Sequence, residues 1–292
     1  MTSHISYETI LSKFDDLVAR EKIYYNSRRT IEVEDDGFAF EFHINASLSK
    51  KPQNGDPISG HEDPNAKKPE CFGPRSDIGN DDPNLTLANI NETHLLVVNK
   101  FCMFRPQLLL LTADSYRRQR EPLGLEDLAA ACEVLKGLKW KQFVIYNCGP
   151  KGGASRQHKH LQVLPRPPRL FLDRESGSMN VPYRYFVRYL HEIDLESSEG
   201  QKRLSQIYAE LLAEAKQSIE AEFEEPDGYI GHNVALTKEW IIVIPRRHIN
   251  FDGITANTAG MLGSVWSASE EEVTKWKQVG PKRALAGLGV PA

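Results

Sequence analysis

Three polar side chains recur on alternate residues of GGASRQHKHLQVLP (152–165): His158, His160 and Gln162. On an extended chain residues i, i+2 and i+4 share a face. Both imidazoles and the amide therefore point one way, and Lys159, Leu161 and Val163 the other. Burying such a polar face among apolar strands is costly unless it lines a site. The preceding GPKGGAS (149–155) is compact and turn-prone. Glycines let the backbone approach a ligand closely, and successive N–H groups in such a turn form an anion nest. Ser155 adds a hydroxyl donor, and Lys151 and Arg156 add positive charge. The combination predicts a phosphate bound beside two imidazoles.

Three kinds of chemistry fit two histidines so placed. They can be buried structural groups. They can ligate a metal, but Gln is a poor zinc ligand and no further Cys or His lies within a few residues. They can do covalent catalysis, in which a neutral imidazole attacks phosphorus while its other ring nitrogen is held by a hydrogen bond. The phosphoramidate so formed splits one displacement into two.

The elements that must hold these residues are legible in outline. HLLVVNKF and QLLLLTAD are short apolar runs separated by CMFRP, and read as strands of an antiparallel sheet. KQFVIYNCGP reads as a strand ending at Asn147, and QHKHLQVLP as the next. GHNVALTKEWIIVIPRRH reads as a further hairpin broken at Thr237 and Pro245. GFAFEFHINASL (37–48) alternates Phe38, Phe40, Phe42 and Ile44, the pattern of a strand with one buried face. Helical spacing appears over 5–20, 125–138 and 204–223. The tail reads as a glycine-bearing loop followed by a helix with an acidic start. Residues 49–85, rich in Pro, Gly, Asn and Asp, read as a long, partly mobile loop. The expected class is α+β, an antiparallel sheet flanked by helices. Residues 1–172 would form an N-terminal and catalytic region with its core at about 90–170, and 173–292 a C-terminal region packed on the same core.

With 292 residues, 40% hydrophobic and 26% charged, the composition is that of a globular protein. A net charge of −4 argues against a protein that coats nucleic acid or anionic membrane. No apolar run approaches the roughly 20 residues of a membrane span. MTSHISYETILSKFDD mixes charges into its apolar positions, unlike a secretory signal. The four cysteines are widely spaced with no CxxC pair, which suits reduced thiols and a cytoplasmic protein. Cys148 has no evident base, so it is not read as a nucleophile. Arg117, Arg118 and Arg120 read as a solvated basic face. Arg246 and Arg247 divide evenly between phosphate contact and capping of the sheet. His94 reads as structural, His232 and His248 lack a recognisable partner, and Trp240 reads as core.

GGASRQHKHLQ after FVIYNCGP, with FHINASLSKKP upstream and NVALTKEWIIVIPR downstream, resembles the diadenosine tetraphosphate phosphorylases, also called ATP adenylyltransferases. These belong to the transferase branch of the histidine-triad superfamily, shared with galactose-1-phosphate uridylyltransferase. The resemblance spans most of the chain in the right order. It implies that His160 is the nucleophile, that His158 supports the site, and that Gln162 replaces the third histidine of the hydrolase branch. Glutamine cannot exchange a proton near neutral pH, which suits transfer to phosphate over hydrolysis. The resemblance further implies substrate contacts at Asn147, Gly153, Ala154, Ser155, Gln157, Thr237 and Met261, and a polyphosphate contact at Lys50 or Lys51. The family often carries a lysine near the position of Trp266, a contact this chain would lose or supply from Lys275 or Lys282. The expected partners are dinucleoside polyphosphates, ATP, ADP and inorganic phosphate, with no nucleic acid and no membrane. No cofactor is required, although a divalent cation such as Mg2+ shared between phosphates fits a polyphosphate substrate. Rival readings are another nucleotidylyltransferase, a dinucleoside polyphosphate hydrolase, or a nucleotide-binding sensor without turnover.

Overall fold

The structure is a computed structural model that describes residues 6–50, 71–138, 141–167, 170–173, 180–220, 223 and 228–292. Its helices are α1 (Tyr7–Ala19), α2 (Leu125–Gly137), α3 (Ser198–Gln217), α4 (Thr258–Met261), α5 (Glu270–Val279) and α6 (Pro281–Leu288). Its strands are β1 (Arg29–Asp35), β2 (Phe38–Ile44), β3 (Thr86–Ile90), β4 (His94–Val98), β5 (Leu108–Thr112), β6 (Gln142–Cys148), β7 (His160–Pro165), β8 (Phe186–Tyr189), β9 (His232–Leu236), β10 (Trp240–Pro245) and β11 (Ser264–Ser267).

Eight strands form one sheet in the order β3-β4-β5-β7-β6-β9-β10-β8. All neighbours in it are antiparallel. The α+β class and the antiparallel sheet are as expected, and β9, from the C-terminal region, pairs with β6 in the same sheet. A second, three-stranded sheet has β2 between β1 and β11, with β11 parallel to β2.

The central strands β5, β6, β7, β9 and β10 are buried on both faces, so their side chains divide by alternation. Val144, Tyr146 and Cys148 of β6, with Leu161 and Val163 of β7, join a core shared with α1, α2 and α3. Phe143, Ile145 and Leu164 join a second core with Phe38, Phe40 and Phe42 of β2, Val265 of β11, and α5 and α6. By the same alternation His160 and Gln162 lie on the face that carries the small sheet.

Several boundaries differ from the sequence reading. Strand β7 starts at His160, and His158 lies outside it in an isolated bridge with Arg118. Helix α3 starts at Ser198, before the expected Leu204, because the Ser197 side chain accepts from the Gly200 N–H and caps it. The glycine-bearing loop around Gly260 is the four-residue helix α4, capped by Asn257. Strands β1, β8 and β11 and helix α6 are additions to the expected elements. β8 and β11 have only four residues each, too few to show a period.

Buried polar contacts join the sheet to α2 and α3. Lys159 is fully buried and donates to the Asp127 carboxylate of α2 (2.7 Å) and to the Pro122 carbonyl (2.8 Å). Asp127 also accepts from the Gly124 N–H (2.6 Å) and meets His94 Nε2 at 3.1 Å. Burial pushes the Asp127 carboxyl up, but the hydrogen bond to His94 and the Lys159 ammonium outweigh it and hold it at about 2. On β9, the His232 imidazole Nε2 meets the Tyr208 hydroxyl of α3 at 2.9 Å. Burial pulls His232 down to about 4.

Asp127→Ala would leave the Lys159 ammonium buried without a counter-charge and should cost about 3–5 kcal/mol, measured by urea denaturation. Asp127, with its lowered pKa, stabilises above pH 3.8, and that contribution should fade as pH falls towards about 2. His232 is also lowered, so the unfolded chain takes up its proton first. Acid should therefore erode stability from about pH 6.5 towards pH 4, before Asp127 contributes. A His232→Gln variant in a pH series should flatten only that upper window.

Candidate active site

His160 stands at the start of β7, where β6 and β7 stop pairing after Ile145↔Gln162. The Gln119 side chain takes over the missing ladder. Its Oε1 accepts from the His160 N–H (2.7 Å), and its Nε2 donates to the carbonyls of His160 (2.9 Å) and Asn147 (3.1 Å). The loop carrying Gln119 is itself pinned, because the Tyr146 hydroxyl reaches the carbonyls of Gln119 (2.8 Å) and Glu121 (2.6 Å).

The His160 ring has a fixed tautomer. Its Nδ1 lies 2.8 Å from the carbonyl oxygen of His158. A carbonyl only accepts, so Nδ1 carries the proton and the lone pair resides on Nε2. His158 supplies that carbonyl and is held from three sides. Its Nε2–H donates to the Thr112 carbonyl (3.0 Å), and its Nδ1 accepts from the Ser76 hydroxyl (2.8 Å). Its backbone N–H donates to Asp77 (3.0 Å), which also accepts from the Gln157 N–H (2.7 Å). Burial lowers the His158 pKa and keeps its ring neutral. His158 therefore holds the His160 ring through its backbone carbonyl, with both of its own ring nitrogens engaged.

Gln162 follows His160 on the same face. Its Oε1 accepts from Gln107 Nε2 (2.9 Å), and Gln107 Oε1 accepts from the Met103 N–H (2.7 Å).

The glycine loop packs closely. Gly153 has φ +84°, and a Cβ there would lie 2.6 Å from the Ala256 carbonyl. At Gly152 a Cβ would meet the carbonyls of Cys148 and His232 at 2.6 and 2.7 Å. The expected nest of free amides is only partly there. The Gly153 N–H donates to Pro150 (2.8 Å) and the Ala154 N–H to Gly149 (3.2 Å), closing the turn on itself. Ser155, next in the loop, carries a hydroxyl and a backbone N–H donor.

Other expected contacts fall in different places. The Asn147 side-chain oxygen accepts from the Thr258 hydroxyl (2.7 Å), the Thr258 N–H (2.8 Å) and Asn233 (3.2 Å), so that oxygen ties α4 to β6. Thr237 is not brought to the histidines. It follows Leu236, which pairs with Val144, at the Leu164 end of the sheet. Its buried hydroxyl accepts from the N–H groups of Glu239 and Trp240 (both 3.1 Å) and holds the hairpin turn. Met261 is core, fully buried, with its carbonyl bonded to the Tyr183 hydroxyl. Lys50 ends a short 3-10 turn with its ammonium 4.9 Å from the Tyr24 ring centroid. Lys51 and the residues up to 70 lie outside the described residues. Lys282 is paired with Asp36 (2.6 Å). Trp266 on β11 stands beside His43 of β2, edge-on to Phe104. Arg117 pairs with Glu121 (2.6 Å) on the surface.

Arg246 resolves towards bracing. It is fully buried and donates to Asn233 Oδ1 (2.7 Å) and to the carbonyls of Ala256 (2.9 Å) and Leu288 (3.2 Å). Burial pulls its pKa down to about 9, so it remains a cation at neutral pH. No carboxylate pairs with it among the described residues. Arg247 donates to the Gly289 carbonyl (2.9 Å) and likewise caps the C-terminal segment. Sequence reasoning missed Gln107, Thr112, Gln119, Asn233 and the Ser76-Asp77 clamp. Gln107 alone had a local cue, a polar residue in phase with Leu109 and Leu111. Among the described residues no cluster of three or more His, Cys, Asp or Glu is placed to hold a metal ion, and no helix is long and apolar enough to cross a membrane.

Residues 20–182 match the family model described as the Ap4A phosphorylase N-terminal domain, and residues 179–291 the ATP adenylyltransferase C-terminal domain. Among curated proteins, Protein APA1 of Saccharomyces cerevisiae is 29% identical over 254 residues, covering 78% of this chain and 75% of the relative. Diadenosine 5',5'''-P1,P4-tetraphosphate phosphorylase 2 of the same yeast is 28% identical over 258 residues, with the same coverage. Among solved structures, yeast Ap4A phosphorylase Apa2 shares the fold with a TM-score of 0.74 at 22% identity, covering 100% of this chain and 96% of that one. Its complex with Ap4A aligns with a TM-score of 0.73 at 23% identity, covering 100% and 99%. Since the N-terminal family model alone takes in more than half of the 292 residues, the chain belongs to the Ap4A phosphorylase family.

Proposed function

We propose that this protein catalyses phosphorolysis of diadenosine tetraphosphate to ADP and ATP, with His160 as the nucleophile. The observation that carries the reading is the Nδ1–H donated by His160 to the His158 carbonyl, which leaves the attacking lone pair on Nε2. In the first step Nε2 forms a bond to the α-phosphorus and the P–O bond to the rest of the dinucleotide breaks. ATP departs as a stable anion, so little general-acid help is required. The His158 carbonyl steadies the positive charge that develops on the ring. In the second step a phosphate oxygen attacks the same phosphorus, the N–P bond breaks, and ADP leaves with the imidazole neutral again. The reverse direction joins ATP and ADP.

Gln162 presents an amide that neither gives nor takes a proton, so the AMP-histidine waits for phosphate without activating water. Ser155 and the adjoining N–H groups are the donors proposed for the phosphates, and Gln157 and Lys50 or Lys51 would extend that contact. Asn147 is assigned to positioning the loop. A divalent cation such as Mg2+, if used, would accompany the polyphosphate as part of the substrate. None of the four cysteines forms a disulfide, which suits a cytoplasmic setting.

Labelled AMP should become trapped on the protein when phosphate is omitted, and peptide mapping should place it on His160. His160→Ala should lose at least about 10³-fold in turnover. With phosphate present the products should be ADP and ATP in equal amounts. Release of ATP and AMP at the same rate without phosphate would overturn the phosphorylase assignment.

A further inference from the structure

The structure assigns a positioning role to Gln107: it locks the side-chain amide of Gln162 in the orientation that presents N–H donors, not a carbonyl oxygen, to the transferred phosphate. This rests on the function proposed above. The Met103 backbone N–H can only donate. It donates to Gln107 Oε1 (2.7 Å), and that fixes which end of the Gln107 amide is oxygen. The nitrogen end of Gln107 then meets Gln162 at 2.9 Å, and a donor must face an acceptor, so that end of Gln162 is Oε1. The two N–H bonds of Gln162 Nε2 are left for a phosphate oxygen. A flip would aim a carbonyl oxygen at that anion.

The lock is built into the fold. Gln107 is 1% exposed and precedes β5 in phase with Leu109, which pairs with Gln162. Its carbonyl accepts from the Asn99 N–H (2.9 Å), so the backbone beneath the side chain is fixed as well. A buried amide bonded at both ends would lose two hydrogen bonds on rotating.

Gln107→Glu separates this role from simple packing, because it keeps the shape and makes the donor titratable. When ionised, the introduced carboxylate accepts from Met103 but cannot donate to Gln162, so Gln162 must turn its N–H end towards it. Once protonated, the same carboxyl donates again and restores the native orientation. Burial raises the pKa of such a carboxyl into an accessible range. The other titratable groups on adjoining elements are His158, His160, Cys102, and His43 and Glu41 of β2. They are common to both proteins and cancel in a ratio.

The experiment measures kcat/KM for phosphorolysis from pH 5.5 to 8.5 in wild type and Gln107→Glu, together with AMP affinity by calorimetry. At pH 8.5 the variant should be weaker by about 10- to 100-fold, the worth of one hydrogen bond to a charged group. The wild-type to variant ratio should shrink as pH falls. Gln107→Leu, which removes the lock without reversing it, should show a smaller loss with a ratio independent of pH. A pH-independent ratio for Gln107→Glu, or no loss at pH 8.5, overturns the lock. If Gln107→Glu does not fold, unchanged turnover and AMP affinity in folded Gln107→Leu overturn it equally. A wild type that binds AMP without phosphorolysis would refute the proposed reaction, while the affinity ratio would still decide the lock.

Discussion

The hydrogen bond from His160 Nδ1 to the His158 carbonyl spans only two residues, yet most of the site exists to maintain it. It needs the chain between the two histidines to stay extended and the His158 carbonyl to face back towards the next imidazole. The sheet secures only part of this: the Lys159 carbonyl accepts from the Thr112 N–H of β5 (3.1 Å), but His158 itself lies ahead of β7. Side chains supply the rest of the constraint. Asp77 holds the N–H groups of residues 157 and 158, Ser76 and Thr112 hold the His158 ring, and Gln119 holds both backbone groups of His160. Each donor there meets an acceptor, which makes a buried polar cluster tolerable in a low-dielectric setting.

The residue between the two histidines carries the opposite kind of chemistry. Lys159 projects into the helical core and pairs with Asp127. A buried ion pair contributes little net stability over an apolar substitute, because both charges lose their hydration. Here it reaches across to the Pro122 carbonyl in the loop that bears Gln119. The ion pair behind the strand and the amide in front of it thus act on one loop. Position, more than strength, is what this pair supplies.

Much of the framework is legible in the sequence because it depends on local period. The alternation of Phe38, Phe40 and Phe42, the apolar runs of β4 and β5, and the face shared by His160 and Gln162 follow from strand geometry alone. Residues whose role depends on a distant partner are not legible. Gln119 sits in a run of arginines that draws attention to charge, whereas its contacts lie 28 and 41 residues away. Ser76 and Asp77 belong to a segment with no periodicity at all. Thr237 escapes for a related reason. Motif order along a chain does not tell which end of a strand a residue occupies, and antiparallel pairing puts Leu236 beside Val144, not beside Asn147. Gly153 and Ala154 read as free donors because sequence cannot show that their N–H groups close the turn.

The splay between β6 and β7 has a consequence for how the chain is divided. Past the end of its pairing with β7, β6 stays paired along its other edge with β9, through Asn147↔Asn233 and Cys148↔His232. The Asn147 side chain then reaches α4, and Asn233 reaches the Arg246 guanidinium. The two family segments, which meet near residue 180, are therefore stitched together directly behind His160. A chain severed at that seam would bare the edges of β6 and β9, two apolar strands with unpaired backbone groups, and invite aggregation. Two modules in sequence are one unit in folding, and the seam between them runs beneath the chemistry.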